Sequence, residues 1–463
     1  MTKTPTAPEG DRRQAKKVKP SGTAEAMASQ TPARRKSESL GSDVDLLEAM
    51  LKRENLVRAW ERVKANQGAA GIDQRSIAQT WEWLKADGWT ITREQLRAGI
   101  YRPHPVRPVS IEKADGGRRE LGIPTVLDRL IQQALLQVLG PLFDPHFSNS
   151  SYGFRPKRSA HDAVRAAKKY VEQGRGWVVD IDLESFFDRI NHDKLMTRVA
   201  RRVQDSRVLR LIRSYLAAGV MRDGVCVRRE EGTPQGGPLS PLLANIMLDD
   251  LDRFLERRGH QFCRYADDCN VYVRSRRAGE RVKEAMVRFL TAELSLRVNE
   301  AKSAVDRPGR RKFLGYSIYG RAKLRVASKS IERLKRRVRE LTRRRWSIAL
   351  EQRLAMLSRF LQGWMTYFRL AETPSVLRDL DKWIRHRVRL CIWKAWKRTA
   401  TRARNLRALG LDEWRVWMVA GSSRGLWFTA GLAPLASALS KRWLTEQGLL
   451  SLHDRWLQLR SAS

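Results

Sequence analysis

One stretch of the chain alternates apolar and polar positions with a period of two. In Trp177-Val178-Val179-Asp180-Ile181-Asp182-Leu183, the residues Val179, Ile181 and Leu183 share one face and Asp180 and Asp182 the other, which predicts a half-buried strand. Phe262 to Val273 places aromatic and β-branched residues around Ala266-Asp267-Asp268 and reads as two short strands joined by a tight turn. Elsewhere the period becomes helical. Leu243, Met247, Leu251 and Leu255 recur every fourth residue after Ser240-Pro241, which are expected to open that helix as N-cap and first residue. Asp128 to Leu142 and Ser159 to Gln173 predict two further helices, and Leu46 to Trp89 is helical on either side of a break at Gln67 to Asp73. Tyr101 to Ile123 predicts a hairpin with its tip at Asp115-Gly116-Gly117. From Ile331 the pattern is helical alone, with Leu334, Val338 and Leu341 followed by Leu354, Leu357 and Leu361. The expected fold is α+β: a sheet with helices on one face, then an all-α region.

The polar positions inside these strands carry the chemistry. An Asp-Asp pair in a turn is most often a solvated turn. The alternative is a site for a hard divalent cation, since Mg²⁺ takes oxygen ligands from few protein carboxylates and leaves positions open for phosphate oxygens. That alternative needs a third carboxylate on another strand, and Asp182 supplies it. A strand spends alternate positions on acids only where that face meets water or a metal. Between the two acidic segments lies Gly232-Thr233-Pro234-Gln235-Gly236-Gly237-Pro238, whose glycines are expected to let a bulky ligand approach the backbone.

The order Asp182 with Phe187, Pro234-Gln235-Gly236-Gly237-Pro238, and Tyr265-Ala266-Asp267-Asp268 resembles a reverse transcriptase palm. Its spelling looks like the bacterial group II intron reverse transcriptases, or maturases. Leu121-Gly122-Ile123-Pro124-Thr125, Tyr152-Gly153-Phe154-Arg155-Pro156, Asn299-Glu300-Ala301-Lys302-Ser303, Phe313-Leu314-Gly315-Tyr316 and Gly363-Trp364-Met365-Thr366-Tyr367-Phe368 match the same family, from about Leu46 to the C-terminus. The resemblance implies a right-hand polymerase with fingers and palm at 45–320, a helical thumb at 321–400 and a small helical DNA-binding region at 401–463. It implies nucleotidyl transfer with two Mg²⁺ ions held by Asp182, Leu183 and Asp267, with Asp268 as the weaker ligand. Lys113, Arg119, Phe187, Gln235 and Lys302 would meet the incoming deoxynucleoside triphosphate, with Phe187 beneath the sugar. Gly236, Gly237, Tyr265 and Ala266 would face the primer and template. The loop Gln67 to Asp73 corresponds to one that lies over the template in the family, and a plain helix–helix connection is the other reading. Glu184 and Ser185 replace the Lys-Gly pair most common after the first acid, leaving the carboxylate and the aromatic in place.

Composition then narrows the partner. Lys and Arg number 90 against 50 acids, a net charge of +40, which argues for a polyanion. Ten of the fifteen tryptophans lie from Trp346 onward, interleaved with cations. Most of those rings are expected in a helical core. Arg385, Arg389, Lys394, Lys397, Arg398, Arg402 and Arg404 are therefore the better candidates for RNA or DNA phosphates. Cys226, Cys263, Cys269 and Cys391 form no Cys-x-x-Cys pair and read as reduced thiols. No apolar run nears spanning length and no signal region opens the chain, so a cytoplasmic protein without a membrane partner is expected. Residues 1–44 are expected to be a disordered basic tail. No further His, Asn and Cys set follows the basic region, which points to the type without an endonuclease. The expected partners are intron RNA, target DNA with its primer strand, and deoxynucleoside triphosphates. A splicing cofactor acting mainly by binding RNA, and a reverse transcriptase of a defence or repair system, are the other readings.

Overall fold

The computed structural model describes residues 45–112, 117–222, 225–227, 230–233, 236–343 and 348–461. The expected tail, Lys113 and Gln235 lie outside them, and of Arg119 only the backbone is described. The strands in chain order are β1 Arg107–Glu112, β2 Arg118–Ile123, β3 Trp177–Ile181, β4 Val220–Arg222, β5 Val225–Val227, β6 Gln261–Tyr265, β7 Asp268–Val273, β8 Ala304–Asp306, β9 Tyr316–Tyr319 and β10 Lys323–Val326. Four of them form the central antiparallel sheet in the order β6-β7-β3-β8. The other pairs are hairpins, of which β1–β2 is the one predicted around Asp115.

The sheet separates two cores. On one face Val179, Ile181 and Val271 pack with the helices Val126–Phe143, Ser240–Arg257 and Arg276–Leu294. The predicted stripe Leu243, Met247, Leu251 and Leu255 is fully inside this core. Helices were expected on one face only. Instead Val178, Cys263 and Tyr272 on the opposite face are buried against Ala163, Val164 and Ala167 of the helix Ala160–Glu172. The physical reason is written in β3, where Val178 and Val179 point to opposite faces and both need cover.

Local signals explain most boundaries. Ser159 caps Ala160–Glu172 through a reciprocal box with Asp162, and Thr125 caps Val126–Phe143 by accepting from the Asp128 amide. Ser240 differs from expectation. It is the first residue of its helix rather than the cap, and its buried hydroxyl accepts from Thr233 Oγ1 at 2.8 Å, which locks the preceding loop to the helix start.

The second core continues into the helical C-terminal half. Ser328–Leu341, Leu350–Tyr367 and Pro374–Ala395 are three long helices, followed by six short ones ending at Leu452–Ser461. Leu357, Leu361, Leu377 and Leu380 share one cluster with Leu406, Val416, Leu435, Leu444 and Trp456. Polar ties reinforce it. Asp381 accepts from Ser451 Oγ, Leu452 N and His453 N at 2.8–3.0 Å, capping the last helix, and Trp456 Nε1 donates to Ala371 O at 2.8 Å. Lys168 pairs with Glu372 at 2.7 Å, joining the helix beneath the sheet to this region. No helix among the described residues is long and apolar enough to cross a membrane.

Candidate active site

The carboxylates meet at one end of the central sheet. In the β3–β7 pairing Ile181 faces Cys269, so the next position sets Asp182 opposite Asp268. Asp267 sits in the two-residue turn between β6 and β7, after Ala266 in a left-handed conformation with φ +59°. Alanine there costs about 1–2 kcal/mol relative to an ordinary turn residue. Strain of this kind persists only where the surroundings fix it.

Asp182 is held through its backbone. Its amide donates to Ser303 Oγ at 3.0 Å and its carbonyl accepts from Asn299 N at 2.8 Å. Leu183 forms an antiparallel bridge with Val298, and its side chain is buried, so its carbonyl is the one oxygen it could offer a cation. The loop that grips Asp182 carries Lys302, whose side chain is exposed next to Ser303. Asp180, on the same face of β3, has a different fate. Arg311 Nε donates to it at 2.8 Å, and the Asn270 amide, oriented to suit its neighbours, donates at 2.9 Å. Of the two alternating acids, one is neutralised by protein and the other looks out of the open end.

The electrostatics of this end suit a cation. Asp268 keeps much of its surface exposed, yet the protein packed around its carboxyl disfavours charge, and Asp267, Asp180 and Asp182 add like-charge repulsion. Lys312 offsets part of this, and the carboxyl is still pushed up to about 7. A divalent ion would relieve that repulsion, and the all-oxygen donor set fits Mg²⁺. Among the described residues no group of three His, Cys, Asp or Glu side chains is placed to hold a metal ion by itself. An open site with few carboxylates matches an ion completed by phosphate oxygens.

Phe187 lies in a short turn beyond Asp182, half-buried and edge-on to Phe186 at 5.1 Å, with its carbonyl accepting from Thr233 N at 2.7 Å. That bond draws the glycine-rich loop to the acid. A Cβ on Gly236 would lie 2.6 Å from Gly122 O, and one on Gly237 2.3 Å from Gln132 Oε1. The close approach that these missing Cβ atoms allow here is to protein backbone and side chain. Tyr265 is half-buried and Ala266 buried beside the acids. Arg119 sits on β2 opposite Ile111. The loop Gln67 to Asp73 is pinned to this half of the molecule, since Arg107 donates to Ala70 O and Arg129 to Ala69 O, both at 2.7 Å.

The basic candidates divide. Arg389 donates to the carbonyls of Leu439 and Ala436 at 3.0 and 3.3 Å, closing a helix end, and Arg402 donates to Trp396 O while lying over Trp393. These two guanidinium groups are committed to the fold. Lys397, Arg398 and Arg404 are exposed, and Arg385 and Lys394 are partly so. The tryptophans divide too. Trp393 and Trp456 are buried and Trp364, Trp383, Trp396 and Trp443 pack against the core, whereas Trp414, Trp417 and Trp427 are exposed because they lie on short helices with a single covered side. Sequence patterns missed Arg311 and Lys312, since lone cations carry no periodic signal, and they gave Ser303 only as part of a string, without its bond to the Asp182 amide.

Residues 111–318 match the family described as reverse transcriptase (RNA-dependent DNA polymerase). Residues 331–410 match the group II intron, maturase-specific domain. Protein YkfC of Escherichia coli is 36% identical over 253 residues, covering 46% of this chain and 66% of that protein. The group II intron-encoded protein LtrA of Lactococcus lactis is 36% identical over 201 residues, 42% of this chain and 33% of that protein. A solved chain of a partial Cas6-RT-Cas1–Cas2 complex gives a TM-score of 0.36 at 26% identity, over 54% of this chain and 43% of that one. With a reverse transcriptase domain followed by a maturase-specific domain, the chain belongs to the group II intron reverse transcriptase/maturase family.

Proposed function

We propose that this chain is an RNA-directed DNA polymerase that copies intron RNA into DNA and binds that RNA to assist splicing and mobility. The observation that carries the reading is the convergence of Asp182, Asp267 and Asp268 at the open end of the sheet, ahead of a maturase-specific domain. Two Mg²⁺ ions held by Asp182 and Asp267, with the Leu183 carbonyl and Asp268 alongside, would lower the pKa of the primer hydroxyl and stabilise the pyrophosphate leaving group. The chain's own residues do the rest. Phe187 fills the space beside a 2′-hydroxyl, and Lys302, with Lys113 and Arg119, neutralises the triphosphate. Tyr265 and Ala266 set the primer end, with Gly236, Gly237 and Gln235 supporting the base pair.

RNA affinity is assigned to the exposed cations Lys397, Arg398 and Arg404 with the partly exposed Arg385 and Lys394, a reading supported by the maturase-specific match and the charge of +40. Primer extension on an RNA template tests the polymerase. Asp267→Asn should reduce it to less than about a thousandth while RNA binding, carried by distant cations, stays close to normal. Retained extension would remove Asp267 from the metal site.

A further inference from the structure

Arg264 lies in β6, three residues before Asp267, and is completely buried. An arginine inside a sheet is costly unless every donor is met. Here all five are. Nε donates to Asp252 Oδ1 at 2.7 Å, and Nη2 to Asp252 Oδ2 at 2.5 Å and Ser151 Oγ at 2.8 Å. Nη1 donates to Asn245 Oδ1 and to the carbonyl of Ala266, both at 2.9 Å. That carbonyl belongs to the peptide linking Ala266 to Asp267, in the strained turn. Asp252 and Asn245 stand two turns apart on one face of the helix Ser240–Arg257.

A second path reaches the same peptide. Asn245 Nδ2 donates to Gly153 O at 2.8 Å, and a Cβ on Gly153 would lie 2.4 Å from Ala266 N. Backbone bonds of 2.8 Å run from Tyr152 N to Arg264 O and from Arg264 N to Ser150 O. The loop 150–153, the palm helix and the acidic turn therefore close on one guanidinium.

We propose that Arg264, with Asp252, Asn245 and Ser151, is a positioning residue for the polymerase. It touches neither nucleotide nor metal but fixes the Ala266–Asp267 peptide, and with it the Asp267 carboxylate relative to Asp182. The inference rests on the polymerase reading. A buried pair serving stability alone could be replaced by apolar side chains with little loss, whereas one that aims a carboxylate could not.

The test uses the full chain and two variants. Arg264→Lys keeps the charge opposite Asp252 but cannot span to Asn245, Ser151 and the Ala266 carbonyl together. Arg264→Met with Asp252→Leu removes both charges. Folding is followed by circular dichroism, primer–template affinity by fluorescence anisotropy, and extension at saturating nucleotide across a Mg²⁺ titration. Folded variants should bind primer–template within about twofold of wild type, extend it roughly 100-fold more slowly, and require several-fold more Mg²⁺, the signature of a misplaced carboxylate. A purely structural role would change the amount of folded protein but not turnover per folded molecule or the Mg²⁺ requirement. Wild-type turnover and Mg²⁺ dependence in either folded variant would overturn the inference. Absence of extension by the wild-type chain would instead overturn the polymerase reading.

Discussion

Asp268 gives the acidic end a pH signature that can be read without substrate. Its carboxyl, though partly open to solvent, is raised by the protein packed around it and by the neighbouring carboxylates from 3.8 to about 7. Between those values the folded chain binds more protons than the unfolded one, so stability falls as pH rises through the window and the deficit is complete above about pH 7. Asp268→Asn should therefore raise the melting temperature in chelator at pH 8 and leave it nearly unchanged at pH 4.5. An equal gain at both values would show that like-charge repulsion is not the cause. Phe187→Ala tests the neighbouring pocket. Opening space beside the sugar should raise ribonucleotide incorporation at least tenfold relative to deoxynucleotide in single-turnover extension, and unchanged discrimination would remove Phe187 from that role. Asp182, Asp267 and Phe187 were legible in the sequence because each stands inside a short string whose neighbours impose strand or turn. Arg264 was not. Its partners lie 12, 19 and 113 residues away, and an arginine in a strand looks like any surface cation until the fold surrounds it.

The strands and helices that place the acids followed from periodicity, because each half-buried element writes its buried face in its own sequence. The contact between elements did not follow. Gly153 reads as a loop glycine, yet its conformational freedom is not what matters, since the space for its side chain is occupied by the Ala266 backbone. Gly153→Ala must push the acidic turn or the loop aside, as backbone on both sides cannot yield like a flexible side chain. Extension should fall by at least tenfold with RNA affinity unchanged, as expected where Lys397, Arg398 and Arg404 carry that affinity. Normal extension by Gly153→Ala would mean that the turn tolerates displacement. In the same way, nothing in the sequence shows that Gly236 and Gly237 pack against Gly122 and Gln132.

The C-terminal helices decide how far the molecule can be divided. A region beginning at Thr401 suggests a detachable nucleic-acid surface, and the change in composition near Ile331 suggests an earlier seam. The packing contradicts easy detachment at Thr401. Leu406, Val416, Leu435, Leu444, Leu452 and Trp456 are buried in the same cluster as Leu357, Leu361 and Leu377. Burying each side chain is worth about 1.5–3 kcal/mol, so together they approach the whole stability of a typical domain, roughly 5–15 kcal/mol. Removal would also strip Asp381 of the three donors it accepts from and uncover Ala371 O, the acceptor of Trp456. A chain ending at Ala400 should accordingly lose helicity beyond the deleted segment and melt well below the full-length protein. Because Lys168–Glu372 and the core beneath the sheet continue into these helices, primer extension should fall with it even though Asp182, Asp267 and Asp268 are retained. Circular dichroism and extension measured across one temperature series separate the outcomes: loss of both at the same reduced temperature follows from a shared core, whereas a truncated chain that melts and extends like the full-length protein would show that the last helices are an independent unit.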